Sequence, residues 1–292
     1  MDHVPFEFCQ NVLACIRHNT QLHEANLLPP FWEAAAKTLT ELSILHLTLY
    51  QRSDAEWHYE IRKFSPQDVF YTLDEVLAMD LVTFRFRHVS FSVIEGSGHS
   101  ILAEKLNQVL IPLVTSQLCD PAELRVAIDT NCNVLFAFSS LTRTKILFLP
   151  DYNSNCEAIL TQKTTQNSLE SLVLEGAWPD SVQDMLAPLA TSPNFTTLDL
   201  SYSSLNLTFE IVEPFLMRWK QTPKISLIVK GRMNFEPEKI GEFFEGEEIS
   251  ELGYGLHVNI NHHCLACGYY DNNFQMNTYC LMSKAISVDK ML

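Results

Sequence analysis

The chain has 292 residues, of which 47% are hydrophobic and 19% charged, a composition typical of a globular protein with a continuous core. Its formal net charge of −15 argues against nucleic acid and anionic membranes as partners, because an acidic protein repels phosphate groups. No stretch reaches the roughly 18–20 apolar residues that a membrane-spanning helix needs. The acidic start of the sequence lacks the form of a signal peptide, so none is expected.

Eight cysteines are scattered along the sequence, mostly among apolar neighbours: Cys9, Cys15, Cys119, Cys132, Cys156, Cys264, Cys267 and Cys280. Such a distribution is typical of reduced, buried thiols rather than of a disulfide framework. We therefore expect a cytoplasmic protein, with the nucleus as the alternative location.

Two helices are predicted at the start of the chain. In residues 4–16, apolar residues recur on one helical face, namely Phe8, Val12, Leu13 and Ile16. A second helix is predicted to begin at the proline pair 29–30 and to run towards Leu45, with Trp32 in its first turn.

Residues 50–128 alternate between strand and helix patterns. The predicted elements, in chain order, are an edge strand over 57–61, a helix that begins after Ser65, a strand over 84–93, an amphipathic helix over 100–114 and a strand over 124–128. The two later strands are irregularly spaced relative to the pattern that follows them, and we interpret them as degenerate repeats.

A leucine pattern repeats in the second half of the chain. The apolar-x-x-Leu-x-Leu form of residues 169–174 returns 26 positions later in residues 195–200. Leu147 and Leu149 lie 25 positions before Leu172 and Leu174. Leu227 and Val229 lie 29 positions after Leu198 and Leu200. These spacings belong to the period of leucine-rich repeats, in which each repeat contributes one strand and one returning segment. Helices are predicted between the strands, over 154–164, 180–191 and 207–220.

Four strands at nearly constant spacing predict an α/β fold of the leucine-rich-repeat-like solenoid type, with parallel strands and outer helices. A doubly wound α/β sheet also alternates strands and helices, but it has no reason to keep a fixed period. The predicted organisation is a helical cap or degenerate F-box-like segment over 1–50, the repeat array over 51–255 and a C-terminal cap over 256–292. Six residues are predicted to be almost fully buried: Leu172, Leu174, Leu198, Leu200, Leu227 and Val229.

The opening Met-Asp-x-Val-Pro-x-x-Phe-Cys segment, the helix with Trp32 and the repeats together resemble the F-box-plus-repeat proteins. The similarity is greatest to the large lineage-expanded F-box-like families of nematodes. It implies that the N-terminal segment binds a Skp1-type ubiquitin-ligase adaptor, although the Val-Cys-x-x-Trp core of such families is missing here. The alternative is an amphipathic cap that shields the open edge of the first repeat.

The sequence carries none of the common phosphate-binding, dinucleotide-binding, hydrolase or zinc-protease motifs, and we expect no enzyme. In the tail, Cys264 and Cys267 have the Cys-x-x-Cys spacing with which two thiolates hold one zinc ion. Cys280 and one of His263, His262 and His257 would complete a tetrahedron. The alternative is a strand over 256–260 followed by a turn with free thiols. We expect no cofactor, with zinc as the alternative.

The residues beside the second leucine of each repeat are predicted to face outward on the concave side, because side chains alternate along a strand. Aligned by the repeat offsets, they form a middle column of Phe148, Val173, Asp199 and Ile228 and a third column of Pro150, Glu175, Ser201 and Lys230. An exposed apolar stripe of this kind usually marks a partner site. The alternative is that residues 274–279 fold back and cover it.

These patterns predict a non-enzymatic protein-interaction module that binds a protein partner on the concave strand face, as a substrate receptor or adaptor of an F-box type. Two alternatives come from other classes of protein. One is a zinc-binding or redox protein that uses the tail cysteines and histidines, and the other is a structural subunit of a larger assembly.

Overall fold

A computed structural model of the chain describes residue 9 and residues 30–280, with gaps at 41, 52–56, 64–67, 93–97, 128–132, 223–224, 237, 246–247, 253–254, 261–262 and 271–272. The described residues form an α/β fold in which many strands are parallel, so the α/β class of the prediction is confirmed. The contacts divide the chain into two compact units, residues 1–128 with 132–144, and residues 129–131 with 145–292. No helix within the described ranges is both long and apolar enough to cross a bilayer.

In the first unit, the described strands are β1 (Ser43–Gln51), β2 (Trp57–Lys63), β3 (Val69–Tyr71), β4 (Phe84–Ser92), β5 (His99–Ile101) and β6 (Leu118–Val126). The helices are α1 (Pro30–Thr40), α2 (Leu73–Leu77), α3 (Ala103–Lys105), α4 (Ile111–Ser116) and α5 (Asn133–Ser139), with a π-helical turn, Leu106–Leu110, between α3 and α4. The strand order is β3-β2-β1-β4-β6, and β5 also pairs with β2. Strands β1, β4 and β6 are parallel, whereas β2 is antiparallel to its neighbours.

The core of the first unit follows the two-residue alternation of its strands. In β1, Leu45, Leu47 and Leu49 are buried, and the intervening residues are partly exposed up to Thr48. The helix predicted to run towards Leu45 therefore ends at Thr40, because the alternating leucines suit a strand and not a helix. Strand β2 pairs with β1 on one side and with β3 and β5 on the other, so the strand prediction over 57–61 is confirmed but its edge position is wrong.

The helix predicted to begin after Ser65 begins later in the chain. Ser65 lies outside the described residues, and β3 and then α2 follow it. Thr72 caps α2: the Glu75 amide donates to Thr72 Oγ1 at 3.2 Å, and the Thr72 amide donates to Glu75 Oε2 at 2.7 Å. This reciprocal pair is a capping box, and its Thr-x-x-Glu spacing was present in the sequence.

In the second unit, the described strands are β7 (Thr144–Leu149), β8 (Ser171–Gly176), β9 (Thr197–Ser203), β10 (Asn206–Leu207), β11 (Ile228–Met233), β12 (Glu248–Leu252), β13 (Gly255–Ile260), β14 (His263–Tyr270) and β15 (Asn273–Cys280). The helices are α6 (Ser154–Gln166), α7 (Gln183–Ala190), α8 (Phe209–Gln221) and α9 (Glu238–Phe243), and a 3-10 turn, Asp180–Val182, precedes α7. The strand order is β7-β8-β9-β11-β15-β14-β13-β12, and β10 also pairs with β11.

The four repeat strands are parallel and adjacent in chain order, as predicted. All six residues predicted to be buried have no exposed surface: Leu172, Leu174, Leu198, Leu200, Leu227 and Val229. The three helices predicted between these strands correspond to α6, α7 and α8. The leucine pattern therefore locates the strands and their buried face correctly.

The predicted register of the last repeat strand is wrong by two residues. The offset of 29 placed Leu227 beside Leu198, but Val229 pairs with Leu198 in the structure. Both Leu227 and Val229 are buried in either case, because a shift of two residues leaves every side chain on its original face. The alternation of apolar and polar residues cannot distinguish these two registers.

The tail extends the sheet instead of covering it. Strand β15 pairs antiparallel with β11, and β12 to β15 follow one another as an antiparallel meander. Phe274 and Met276 are buried within this arrangement. The alternative in which residues 274–279 fold back over the strand face is therefore wrong, because their backbone bonds to β11 within the sheet.

The predicted domain boundaries fall inside strands. The boundary after residue 50 lies within β1, and the boundary after residue 255 lies within β13, whereas the contacts divide the chain near residue 144. The helix predicted over 4–16 lies outside the described residues except for Cys9, which is buried. Its role as a cap or an F-box-like segment stays a prediction.

Candidate functional site

The parallel strands of the second unit align four outward-facing residues in a single row. Phe148 of β7 pairs with Val173 of β8, Val173 pairs with Asp199 of β9, and Asp199 pairs with Lys230 of β11. All four are partly exposed, whereas the residues immediately before and after each of them along its strand are buried. We call these four residues the outward row. It lies on the strand face opposite the leucine core.

The outward row differs from the predicted middle column at its last position. Ile228 was predicted beside Asp199, but it pairs with Thr197, two residues earlier in β9. Lys230 pairs with Asp199 instead. This change follows from the two-residue shift in the register of β11. The row is therefore apolar at Phe148 and Val173 and charged at Asp199 and Lys230, instead of three-quarters apolar.

A bulge in β9 changes the predicted third column. The register shifts after Val173, so that Glu175 pairs with Tyr202 and not with Ser201. The Ser201 amide donates to Asp199 Oδ1 at 2.9 Å, which is the local hydrogen bond of an Asx turn. Ser201 and Tyr202 are consecutive residues that both have exposed surface, as expected where a bulge interrupts the alternation.

Tyr202 is the residue of this face that the sequence reasoning missed. Its side chain is 78% exposed and it stands next to Glu175. Strict two-residue alternation places Tyr202 on the same face as the buried Leu200. It therefore wrongly predicts that Tyr202 is buried. The available signal was Asp199 two residues before Ser201, the spacing at which an aspartate accepts from the backbone.

An aromatic cluster stabilises the loops at the carboxyl ends of β7 and β8. The Trp178 indole Nε1 donates to the Glu175 carbonyl at 2.6 Å, and its ring meets Tyr152 edge to face at a centroid distance of 5.4 Å. Tyr152 donates its hydroxyl to Glu157 Oε2 at 2.6 Å, and this hydrogen bond raises the pKa of Tyr152. These contacts hold the loops beside Glu175 in a defined conformation.

The glycine at the end of β8 has a positive φ. Gly176 has a φ of 80°, and a Cβ there would lie 2.8 Å from Asp151 Oδ1 and 3.0 Å from the Pro150 carbonyl. Any other residue would therefore meet both backbone strain and a clash. The absence of a side chain at Gly176 therefore allows the end of β8 to pack closely against the loop that follows β7.

The first unit has a polar row on adjacent parallel strands that the sequence reasoning also missed. His46 of β1 pairs with His88 of β4, and His88 pairs with Glu123 of β6. We call these three residues the histidine row. The available signal was the alternation of β1, which puts His46 between the buried Leu45 and Leu47. His88 follows the exposed Arg87, where the alternation of β4 is interrupted, so β4 carried no such signal.

The residues of the histidine row influence one another electrostatically. Burial, with smaller contributions from the charges of His88 and Arg62, lowers the pKa of His46 to about 4. The hydrogen bond from His88 lowers the pKa of Glu123. Near neutral pH, therefore, His46 is a neutral imidazole and Glu123 is a carboxylate.

The residues of the predicted zinc site lie in two neighbouring strands. Cys264, Cys267 and His263 belong to β14, and Cys280 belongs to β15, where it pairs with His263. Cys267 is a buried free thiol whose pKa is raised by burial, and the other three side chains are not described. Among the side chains that the structure does describe, no group of three or more His, Cys, Asp or Glu residues is arranged to hold a metal ion. The zinc hypothesis stays a prediction.

Comparison of the chain with protein-family models, with curated proteins and with solved structures gave no match. The outward row, with Tyr202 and Glu175 at its rim, is described below by its own chemistry alone. It combines one aromatic and one aliphatic side chain with adjacent charges of opposite sign.

Proposed function

We propose that this chain is a non-enzymatic protein-interaction module that binds a protein partner on the outward row and its rim. The observation that carries the proposal is the contrast between the two faces of the same strands. One face consists of fully buried leucines, whereas the other presents the partly exposed Phe148 and Val173 and the highly exposed Tyr202. Exposed aromatic residues beside an apolar centre are typical of the residues that dominate protein interfaces.

We further propose that β7, β8, β9 and β11 with α6, α7 and α8 form a short leucine-rich-repeat-like solenoid. The strand order follows the chain order without a reversal. Right-handed connections between parallel strands then place successive helices on the same face of the sheet. This supports an open opposite face, whereas a doubly wound sheet reverses its order and carries helices on both faces.

The two charges of the row define the chemistry of the partner. Asp199 and Lys230 are paired on neighbouring strands, and Glu175 lies beside Tyr202 at the rim. A partner segment with an apolar centre and flanking groups that pair with both signs of charge fits this pattern. A partner with charges of one sign only would meet repulsion at one of the two positions.

The proposal extends to a substrate receptor of the F-box type in the cytoplasm. It is supported by the resemblance of the opening segment, by the helical environment of Trp32 in α1 and by free thiols at Cys119 and Cys267. In this role the N-terminal segment holds a Skp1-type adaptor while the outward row holds the substrate. Binding of the purified adaptor to the full chain, measured by calorimetry, tests this extension separately from the strand face.

The partner proposal is tested with the full chain as bait and quantitative mass spectrometry of what it retains. Phe148→Ala combined with Val173→Asp should abolish retention of the partner, because it removes the apolar centre and adds a charge. Met217→Asp, at a 45% exposed position of α8, is the matched control and should retain it. Melting temperatures of both variants should stay close to that of the parent.

Tyr202→Ala provides a second variant that cannot fail by unfolding a core, since the side chain is 78% exposed. We expect it to weaken partner retention at an unchanged melting temperature. Retention of the same proteins by both the double variant and Tyr202→Ala would show that this face is not the binding surface.

A further inference from the structure

A small notch interrupts the outermost strands of the first unit's sheet. Strands β3 and β5 lie end to end along β2, because β3 pairs with residues 61–63 and β5 pairs with residues 57–59. Glu60 of β2 lies between these two pairings. The gap forms a cavity of about 70 Å³ that opens to solvent and is lined by Glu60, Ile61, Phe70, Tyr71, Gly98 and His99.

Hydrogen bonds fix both sides of the notch. Just after Tyr71, the Leu73 amide donates to the Tyr59 hydroxyl at 2.9 Å. On the other side, the Gly98 amide donates to the Tyr50 hydroxyl. A Cβ at Gly98 would lie 2.5 Å from the Tyr59 carbonyl oxygen, so only glycine lets the chain approach β2 this closely. The notch is therefore formed before a ligand arrives, which lowers the entropic cost of binding.

The lining places aromatic rings beside a single carboxylate. Phe70 is 55% exposed and Tyr71 is partly exposed, so both offer surface to a ligand. On the β5 side, the His99 ring packs against Tyr59 at a centroid distance of 5.5 Å. Among the described residues that line the notch, Glu60 is the only carboxylate and there is no lysine or arginine. Aromatic faces and a carboxylate both attract a cation, so the notch favours a positively charged group.

We propose that the notch binds a methylated ammonium group, with Phe70 and Tyr71 as its aromatic contacts and Glu60 as its counter-charge. An apolar cavity of about 150 Å³ accommodates the six carbon atoms of benzene. By that measure 70 Å³ holds about three heavy atoms, which is an ammonium nitrogen with two of its methyl groups. The remainder of the ligand, such as the chain of a methylated lysine or of choline, stays outside the notch.

Methylation suits this lining better than a bare ammonium does. An unmethylated ammonium has three N–H donors that need acceptors, whereas the lining offers one carboxylate beside aromatic rings. Methyl groups replace those donors with apolar surface and keep the charge, which is the chemistry that aromatic cages recognise. Arg62 pairs with Phe70 and opposes a cation from outside the lining, so the affinity is modest. The inference does not depend on the proposed partner surface.

The proposal is tested by ligand-observed NMR titrations of the full chain with tetramethylammonium and choline at pH 8. We expect both to bind, and the uncharged carbon isostere of choline to bind several-fold more weakly. An acetylated trimethyl-lysine amide carries the same group on a protein-like chain, and its affinity relative to choline distinguishes the two sources of the ligand. The amide of unmethylated lysine should bind more weakly than its trimethylated form.

Four variants locate the site. Phe70→Ala should weaken tetramethylammonium binding by about 2–5-fold, the loss expected for one solvent-exposed cation–π contact. Phe70→Tyr keeps the ring and should bind as the parent does. Glu60→Gln should weaken binding of the cation without affecting that of the neutral isostere. Tyr202→Ala removes an aromatic residue that is 78% exposed in the second unit and is the matched control, with unchanged binding.

Three results would overturn the proposal. They are a parent chain that does not bind tetramethylammonium, equal affinities for choline and its neutral isostere, and an affinity that Phe70→Ala and Glu60→Gln leave unchanged. Phe70 and Glu60 both have exposed surface, so neither substitution opens a core, and melting temperatures close to that of the parent verify this.

Discussion

Lys163 of α6 is a buried lysine with no exposed surface. Burial disfavours its charged form and lowers its pKa from 10.5 to about 8. Between these two values the unfolded chain binds more protons than the folded one, so this residue makes stability rise with pH across that window. Below the window both states are protonated, and the folded state carries the full cost of burying the charge.

We therefore expect Lys163→Met to raise the free energy of unfolding at neutral pH. Above pH 8, the free energy of unfolding should rise less with pH in the variant than in the parent. Urea unfolding of the parent and the variant at pH 7, 8, 9 and 10 measures both effects. Lys220→Met, at a partly exposed position, is the control and should leave the slope almost unchanged. Equal slopes for parent and Lys163→Met would show that Lys163 stays charged when it is buried.

Leu198 lies in the middle of the repeat strands, beside Leu172 and Val229, and has no exposed surface. Truncation leaves a cavity among residues held by two neighbouring strands, so Leu198→Ala should destabilise the protein by ~2–5 kcal/mol. Thr197→Ala, one position earlier on the partly exposed face, should change the free energy of unfolding much less. Comparable losses at both positions in chemical denaturation would contradict the assignment of the two faces.

At the scale of single elements, the bulge of β9 determines where Tyr202 is displayed. Its stabilising contact is the Ser201 amide donating to Asp199 Oδ1. Asp199→Ala removes the acceptor and should cost ~0.5–1.5 kcal/mol, the usual contribution of one hydrogen bond. Asp199→Asn keeps an acceptor oxygen at the same place and should recover most of that loss. The melting temperatures should therefore fall in the order parent, Asp199→Asn, Asp199→Ala. Any other order would show that the bulge does not depend on this contact.

The same strands show what a sequence can and cannot specify. Alternating leucines at 172, 174, 198 and 200 identify the strands and the buried face, because only one phase of the alternation buries them all. The register of β11 and the bulge of β9 depend on loop lengths and on one side-chain hydrogen bond, and the alternation carries no information about either. The histidine row was missed for a related reason, since it forms only when β1, β4 and β6 are aligned.

For the whole molecule, the net charge of −15 predicts the classes of partner that it avoids. We expect the full chain to bind neither duplex DNA nor vesicles rich in anionic lipid at physiological salt, because both repel an acidic protein. Fluorescence anisotropy with labelled DNA and co-sedimentation with vesicles measure this. Matched neutral vesicles are the control. Binding that weakens with added salt would reveal a basic surface that the total charge conceals.

The antiparallel strand β15 has a consequence for how the protein behaves at high concentration. Had β11 been left exposed, its unpaired amides and carbonyls would form a template on which a second molecule could polymerise. Strand β15 saturates those groups, and the meander transfers the role of outermost strand to β12. The sequence of β12 contains Glu248 and Glu251, and charged residues on an outermost strand are a common means by which proteins oppose edge-to-edge association. The C-terminal meander thus removes one edge at which the repeat strands could pair with a second molecule.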